Sequence, residues 1–115
     1  MTAIKEKSTN QLNKQLNTWC PVTFTLAKIG GRWKPMIIYN LLHGPRRYSE
    51  LKRAIPNITE KMLIQTLKEL EVDLLLKRNV KATVPPHVEY SLTQVGLELG
   101  PVLDKMVEWA MKNGG

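Results

Sequence analysis

Leucines at positions 63, 67, 70 and 74 recur at spacings of four, three and four, and just beyond them the period changes. From Leu76 to Ala82, apolar Leu, Val and Ala alternate with Lys77, Asn79 and Lys81, interrupted at Arg78. After Thr83-Val84-Pro85-Pro86-His87, the residues Val88, Tyr90 and Leu92 alternate again. A helical stripe that passes directly into two alternating runs predicts an amphipathic helix followed by a β-hairpin with a protruding tip. A chain with that junction folds as a mainly helical domain carrying one small sheet.

The helix before the junction starts at Thr59, a good N-cap, and runs to about Glu71. Its leucines face inward, while Lys61, Gln65 and Lys68 repeat the same spacing on another face. Upstream, Cys20-Pro21 opens a short helix with Cys20 at the cap and Val22, Leu26 and Ile29 at helical spacing. Gly30-Gly31 stops it. A second helix starts near Trp33, carries Trp33, Ile37 and Leu41, and ends at His43-Gly44-Pro45. Arg46-Arg47 reads as a basic turn. Leu51, Ala54 and Ile55 mark a short third helix that stops at Pro56, with Asn57-Ile58 as the next turn. Downstream, Thr93 caps a last helix whose apolar positions are Val95, Leu99, Val102, Leu103, Met106, Val107 and Ala110. Leu97 and Trp109 lie outside that stripe, and Gly100-Pro101 should kink or divide the helix. Residues 1–18 are polar and read as a mobile arm, leaving 19–113 as a single domain. A domain of this size has little core for so much apolar helix, so part of the last helix is expected to meet another chain.

Charge narrows the function. The chain carries +7, from 17 basic and 10 acidic residues. Residues 28–81 hold twelve of those bases against five acids, whereas residues 82–115 hold two against four. An excess so localised suits an anionic partner. No apolar run approaches the roughly 18 residues of a membrane span, and the N-terminus has no hydrophobic signal core. One cysteine makes no internal disulfide and no multi-cysteine zinc site. A small, soluble, basic, intracellular domain is the expectation.

Two short helices joined by a tight turn, the second polar on its outer face, form a helix-turn-helix, and a hairpin directly after it makes a winged helix. The leucines anchor the reading helix to the domain and present it to the DNA major groove. Thr59, Lys61, Met62, Gln65 and Thr66 are the expected base-reading set, with Gln suited to adenine and Lys to guanine. Arg46, Arg47, Tyr48, Ser49, Lys52 and Lys68, with Lys77, Lys81 and His87 on the wing, are the expected phosphate-holding set. Double-stranded DNA is therefore the expected partner. A winged helix that docks a protein, without specific DNA readout, is the alternative. No nucleophile–base pair, phosphate-cradling glycine loop or metal-ligand spacing is visible, so no enzyme activity, cofactor or metal is expected.

The runs CPVTFTLAKIGGRWKPMIIYNLLHG, RRYSELKRAIPNIT, LKELEVDLLLKR, PPHVEYSLTQVG and PVLDKMVEW resemble the HxlR family of winged helix-turn-helix transcriptional regulators, from Cys20 to Trp109. The resemblance implies a cytoplasmic, homodimeric repressor or activator acting on a near-palindromic operator. It also implies a dimer built from the N-terminal segment and the long last helix, with Trp19, Val102, Met106, Trp109 and Ala110 as the interface candidates. Asn57 and Leu74 stand where the family usually has glycine. Asn tolerates a left-handed turn. Leu74 implies a differently shaped exit from the reading helix.

Cys20 is a candidate switch. Backbone amides at a helix N-terminus favour thiolate over thiol. Several members of the family that this chain resembles sense oxidants or electrophiles through a cysteine at this motif. The bland counterpart is a buried structural thiol.

Overall fold

The computed structural model describes residues 19–114, and the arm expected over residues 1–18 lies outside them. The described residues fall into two compact units, divided between Gly30 and Gly31. The first is α1 (Pro21–Ile29) with its caps. Cys20 is its N-cap, in extended conformation, and Pro21 follows at the position where a missing N–H costs nothing. Gly30 closes the other end by donating its N–H to the Leu26 carbonyl over 2.7 Å. Of Val22, Leu26 and Ile29, only Ile29 is buried.

The second unit runs α2 (Trp33–Leu41), β1 (Arg46–Arg47), α3 (Tyr48–Ala54), α4 (Glu60–Val72), β2 (Leu76–Lys81), β3 (His87–Leu92), α5 (Gln94–Leu97) and α6 (Gly100–Asn113). Its core is aliphatic. Ile37, Ile38 and Leu41 of α2 are buried with Leu51, Ile55 and Ile58, the α4 leucines 63, 67 and 70, and Leu75, Leu76, Leu92 and Leu103. Helix α2 lies at the centre, packing on α3, α4, α6 and β3. The sheet has β3 in the middle, antiparallel to β1 on one side and β2 on the other. This is a mainly helical winged helix-turn-helix with a small three-stranded antiparallel sheet.

Several sequence expectations change. Arg46-Arg47 is a strand rather than a turn, with Arg46 opposite Tyr90 and Arg47 opposite Glu89. Leu74 is not on the inward row: it is 71% exposed, and Leu75 is buried instead. The cause is a left-handed φ of 61° at Leu74, which breaks the helical phase and turns the next residue inward. The exit from α4 thus keeps the turn that a glycine would make, with a leucine making it. Val80 is also exposed, because the hairpin extends beyond the core. Ala54 and Val95, read as stripe positions, are exposed.

Other readings hold. Asn57 adopts φ 68° in the turn between α3 and α4. The last helical segment divides into α5 and α6, with Pro101 in the first turn of α6. Thr93 caps α5, accepting from the Gly96 N–H over 3.1 Å. Gly96 is buried, and a Cβ there would collide with the Leu75 carbonyl oxygen.

Candidate nucleic-acid interface

Helix α4 is held at its start by Thr59, whose Oγ1 accepts from the Met62 N–H over 3.1 Å. Leu63, Leu67 and Leu70 pin one side to the core, so the opposite side faces solvent. Thr59, Lys61, Gln65 and Lys68 are exposed there, and Met62 is half-buried. Thr66 is corrected out of the reading set. Its side chain is buried (3% exposed), and its hydroxyl donates to the Met62 carbonyl one turn back over 2.6 Å. A threonine that bonds back to its own helix satisfies its hydroxyl without reaching outward.

The outer side of α4 is already ordered. Gln65 donates from Nε2 to Glu69 Oε2 over 3.2 Å, and Lys34 of α2 lies 3.6 Å from Glu69 Oε1. These side chains, with Lys61, Ile64, Lys68, Val72 and Asp73, line an open groove of about 620 Å³ along the helix. The sequence reading missed Glu69, which aims the amide of Gln65.

The sheet presents a second cationic surface. Directly opposed residues of an antiparallel ladder share a face. The register pairs Lys77 with Ser91, Asn79 with Glu89, Lys81 with His87 and Arg47 with Glu89. Four of the expected phosphate holders, Arg47, Lys77, Lys81 and His87, therefore share one face. Arg46 is on the opposite face, beside Tyr90, with Arg78 on the other side of that ring. In the sequence Arg78 only breaks an apolar row; the register places it beside Tyr90. Asn79 donates to Ser91 Oγ over 3.0 Å, tying β2 to β3 within the cationic face.

Helix α3 joins the two surfaces. Its N-terminus is closed by Glu50, which accepts the Arg47 N–H over 2.7 Å. On α3 itself, Ser49 is exposed and Lys52 half-buried. Tyr48 is corrected: its hydroxyl is buried, away from any phosphate, and has no hydrogen-bond partner among the described residues. Burial, then the Glu60 and Tyr90 charges, raises its pKa.

Cys20 is exposed. Its sulfur makes no standard capping bond, yet the Thr23 side chain, followed by the Thr23 amide, lies close enough to hold the thiol pKa below its usual value. Beside it, Trp19 and Phe24 meet at 6.1 Å between ring centroids, and Lys28 Nζ lies 5.6 Å from the Phe24 ring. On α6, Val102, Met106, Val107, Trp109, Ala110 and Met111 are exposed. An apolar groove of about 320 Å³ runs between this helix and α2, lined by Met36, Tyr39, Leu103 and Met106 among others. Among the described residues, no helix is long and apolar enough to cross a membrane, and no three His, Cys, Asp or Glu side chains cluster as metal ligands would.

Comparison with known proteins agrees with this geometry. The sequence model of the HxlR-like helix-turn-helix family matches residues 28–115. The chain is 52% identical over 90 residues to the HTH-type transcriptional regulator YkvN of Bacillus subtilis (strain 168), covering 78% of this chain and 76% of that protein. It is similar to the solved redox regulator HypR in its oxidized form, with TM-score 0.78 and 47% identity, covering 82% of this chain and 97% of that one. The reduced form of the transcriptional regulator YodB from B. subtilis superposes with TM-score 0.74 at 37% identity, covering 84% and 95%.

Proposed function

This chain belongs to the HxlR family of helix-turn-helix transcriptional regulators, which are not enzymes, and from that premise we propose that it is a sequence-specific, homodimeric DNA-binding repressor or activator acting in the cytoplasm. One observation carries the reading. The outer side of α4, pinned from behind by its leucines, and the cationic face of the sheet are joined through α3 and β1, which run on from each other in the chain. Helix α4 enters the major groove with Lys61, Gln65 and Met62 toward base edges, while Thr59 holds its entry angle. Arg47, Ser49, Lys52, Lys68, Lys77, Lys81 and His87, with Arg46 from the other side of the sheet, hold phosphates.

The working unit is residues 19–113. Exposed apolar side chains at Trp19 in the first unit, and at Val102, Met106, Trp109 and Ala110 in the second, supply the dimer contacts. Two copies then read half-sites about one helical turn, roughly 34 Å, apart or a multiple of it.

Cys20 makes the regulator responsive to oxidants or electrophiles. An exposed thiol with a depressed pKa has the character of a sensor. HypR is described as a redox regulator. Two Cys20 thiols, one per protomer, would give up two electrons and two protons to an oxidant such as diamide and form one intermolecular S–S bond.

Selection of bound duplexes from a random pool, with footprinting of the winners, tests the reading. A recovered near-palindrome protected at two half-sites is the expected result. Binding that ignores salt and leaves no footprint would point instead to a protein-docking module.

A further inference from the structure

A carboxylate sits in the middle of the cationic face of the sheet. Glu89 lies on the central strand β3, opposite Arg47 on one side and Asn79 on the other. Its Oε2 is 2.9 Å from His87 Nε2, and both side chains keep about a quarter of their exposure (26% and 27%). The His87 hydrogen bond, then Lys81 and Arg47, hold the carboxyl below the usual carboxylate range. It is therefore ionised at neutral pH.

The fold gains little from this charge. Surface ion pairs of such exposure contribute little to stability, and the sheet is already tied by its ladder and by Asn79 and Ser91. The position matters for another reason. Arg47, Lys81 and His87 surround Glu89, and they are three of the groups read above as phosphate holders. An anion is thus already seated where a DNA phosphate would approach.

We propose that Glu89 is an internal stand-in for DNA phosphate, which occupies the wing cations in the free protein and lowers their affinity for any duplex. The proposal rests on the reading of this sheet face as a DNA contact. A phosphate reaching Arg47 or Lys81 meets a like charge nearby, and one reaching His87 must displace that charge as its partner. The cost is the same for every sequence, because the face touches backbone and not bases. Glu89 therefore sets the absolute affinity and its salt dependence, while α4 sets the ratio between operator and unrelated DNA. A carboxylate that offsets one phosphate contact removes about one unit from the slope of log K against log salt.

Glu89→Gln tests this in the full chain, because glutamine keeps the volume and an oxygen that accepts from His87 but lacks the charge. Affinity is read by fluorescence anisotropy on a selected operator duplex and on a scrambled duplex of the same length, across about 50–200 mM salt. The expected result is a three- to tenfold gain on both duplexes by the same factor, a slope steeper by about one, and an unchanged thermal midpoint. Glu98→Gln removes the same charge from an exposed site at the C-cap of α5, outside the strands, and should change affinity by less than twofold. An unchanged or weakened Glu89→Gln complex overturns the proposal, as does an equal gain from Glu98→Gln. Wild-type protein that selects no duplex at all overturns the DNA reading together with this one. Wild-type binding without a gain in the variant overturns this one alone.

Discussion

The hydroxyl of Thr93 donates to the carbonyl of Leu74 over 2.6 Å, joining the second residue past α4 to the residue just before α5. The same oxygen accepts the Gly96 N–H, and the Thr93 N–H reaches the Leu75 carbonyl over 3.1 Å. One side chain thus closes the base of the hairpin, caps a helix and fixes where α4 ends.

Thr93→Val keeps the shape and removes the hydroxyl. It should cost about 1–2 kcal/mol, the sum of a lost N-cap and a carbonyl left without its donor. Urea denaturation followed by circular dichroism measures it. A loss below a few tenths of a kcal/mol would mean that the backbone alone fixes this corner.

Leu74 holds a left-handed backbone that a branched side chain resists, and its side chain is largely in solvent. Leu74→Gly relieves the Cβ clash at little loss of packing. It should stabilise the protein by about 0.5–1 kcal/mol once the extra freedom of glycine in the unfolded chain is subtracted. Destabilisation in the same denaturation experiment would show that the leucine makes contacts worth more than the strain.

Reading and holding residues should separate by sequence dependence. Lys61→Ala and Gln65→Ala should each reduce discrimination between the operator and single-base variants at one position, by about 1–3 kcal/mol. Arg47→Ala and Lys81→Ala should weaken binding to all duplexes alike and flatten the salt slope by about one. Identical behaviour of the two groups would undo the assignment of α4 and the sheet face to different tasks.

The Cys20 thiol should ionise below the value of a free cysteine. Because the thiolate is the reactive species, iodoacetamide alkylation should reach half its maximal rate at a pH below that value. Thr23→Ala removes the leading cause of the shift and should move the midpoint up. A wild-type profile centred at or above the free value would remove the chemical basis for sensing at Cys20.

A charge placed on the exposed apolar side of α6 should break a dimer without touching α4 or the sheet. Met106→Glu is expected to raise the dimer dissociation constant at least tenfold in sedimentation velocity, since a buried unpaired charge costs several kcal/mol. Unchanged sedimentation would put the interface elsewhere.

The order of helices and the hairpin was legible because each has its own period, and proline, glycine or threonine marks most of their ends. What escaped has physical reasons. A two-residue strand such as Arg46–Arg47 has no period, and it exists only because β3 offers it a ladder more than forty residues away. The phase break at Leu74 exchanged Leu74 for Leu75 in the core, because a stripe read by counting assumes an unbroken helix. Thr66 reads as polar, yet three residues past Leu63 and four before Leu70 it falls on the buried side of α4, where its hydroxyl is satisfied by its own backbone. The cationic residues of the site could be named in advance. Glu69 and Glu89 could not be placed among them, since sequence charge totals carry no information about which face a carboxylate shares.

Strand β1 continues without interruption into α3, so the chain that closes the sheet is the chain that opens the helix-turn-helix. The hairpin and helix α4 are therefore tied through one continuous stretch of chain within the second unit, which would set the spacing of the proposed DNA contacts. In a dimer of the proposed kind, each such head would move as a unit, and a signal at Cys20 would act on the angle between the two heads.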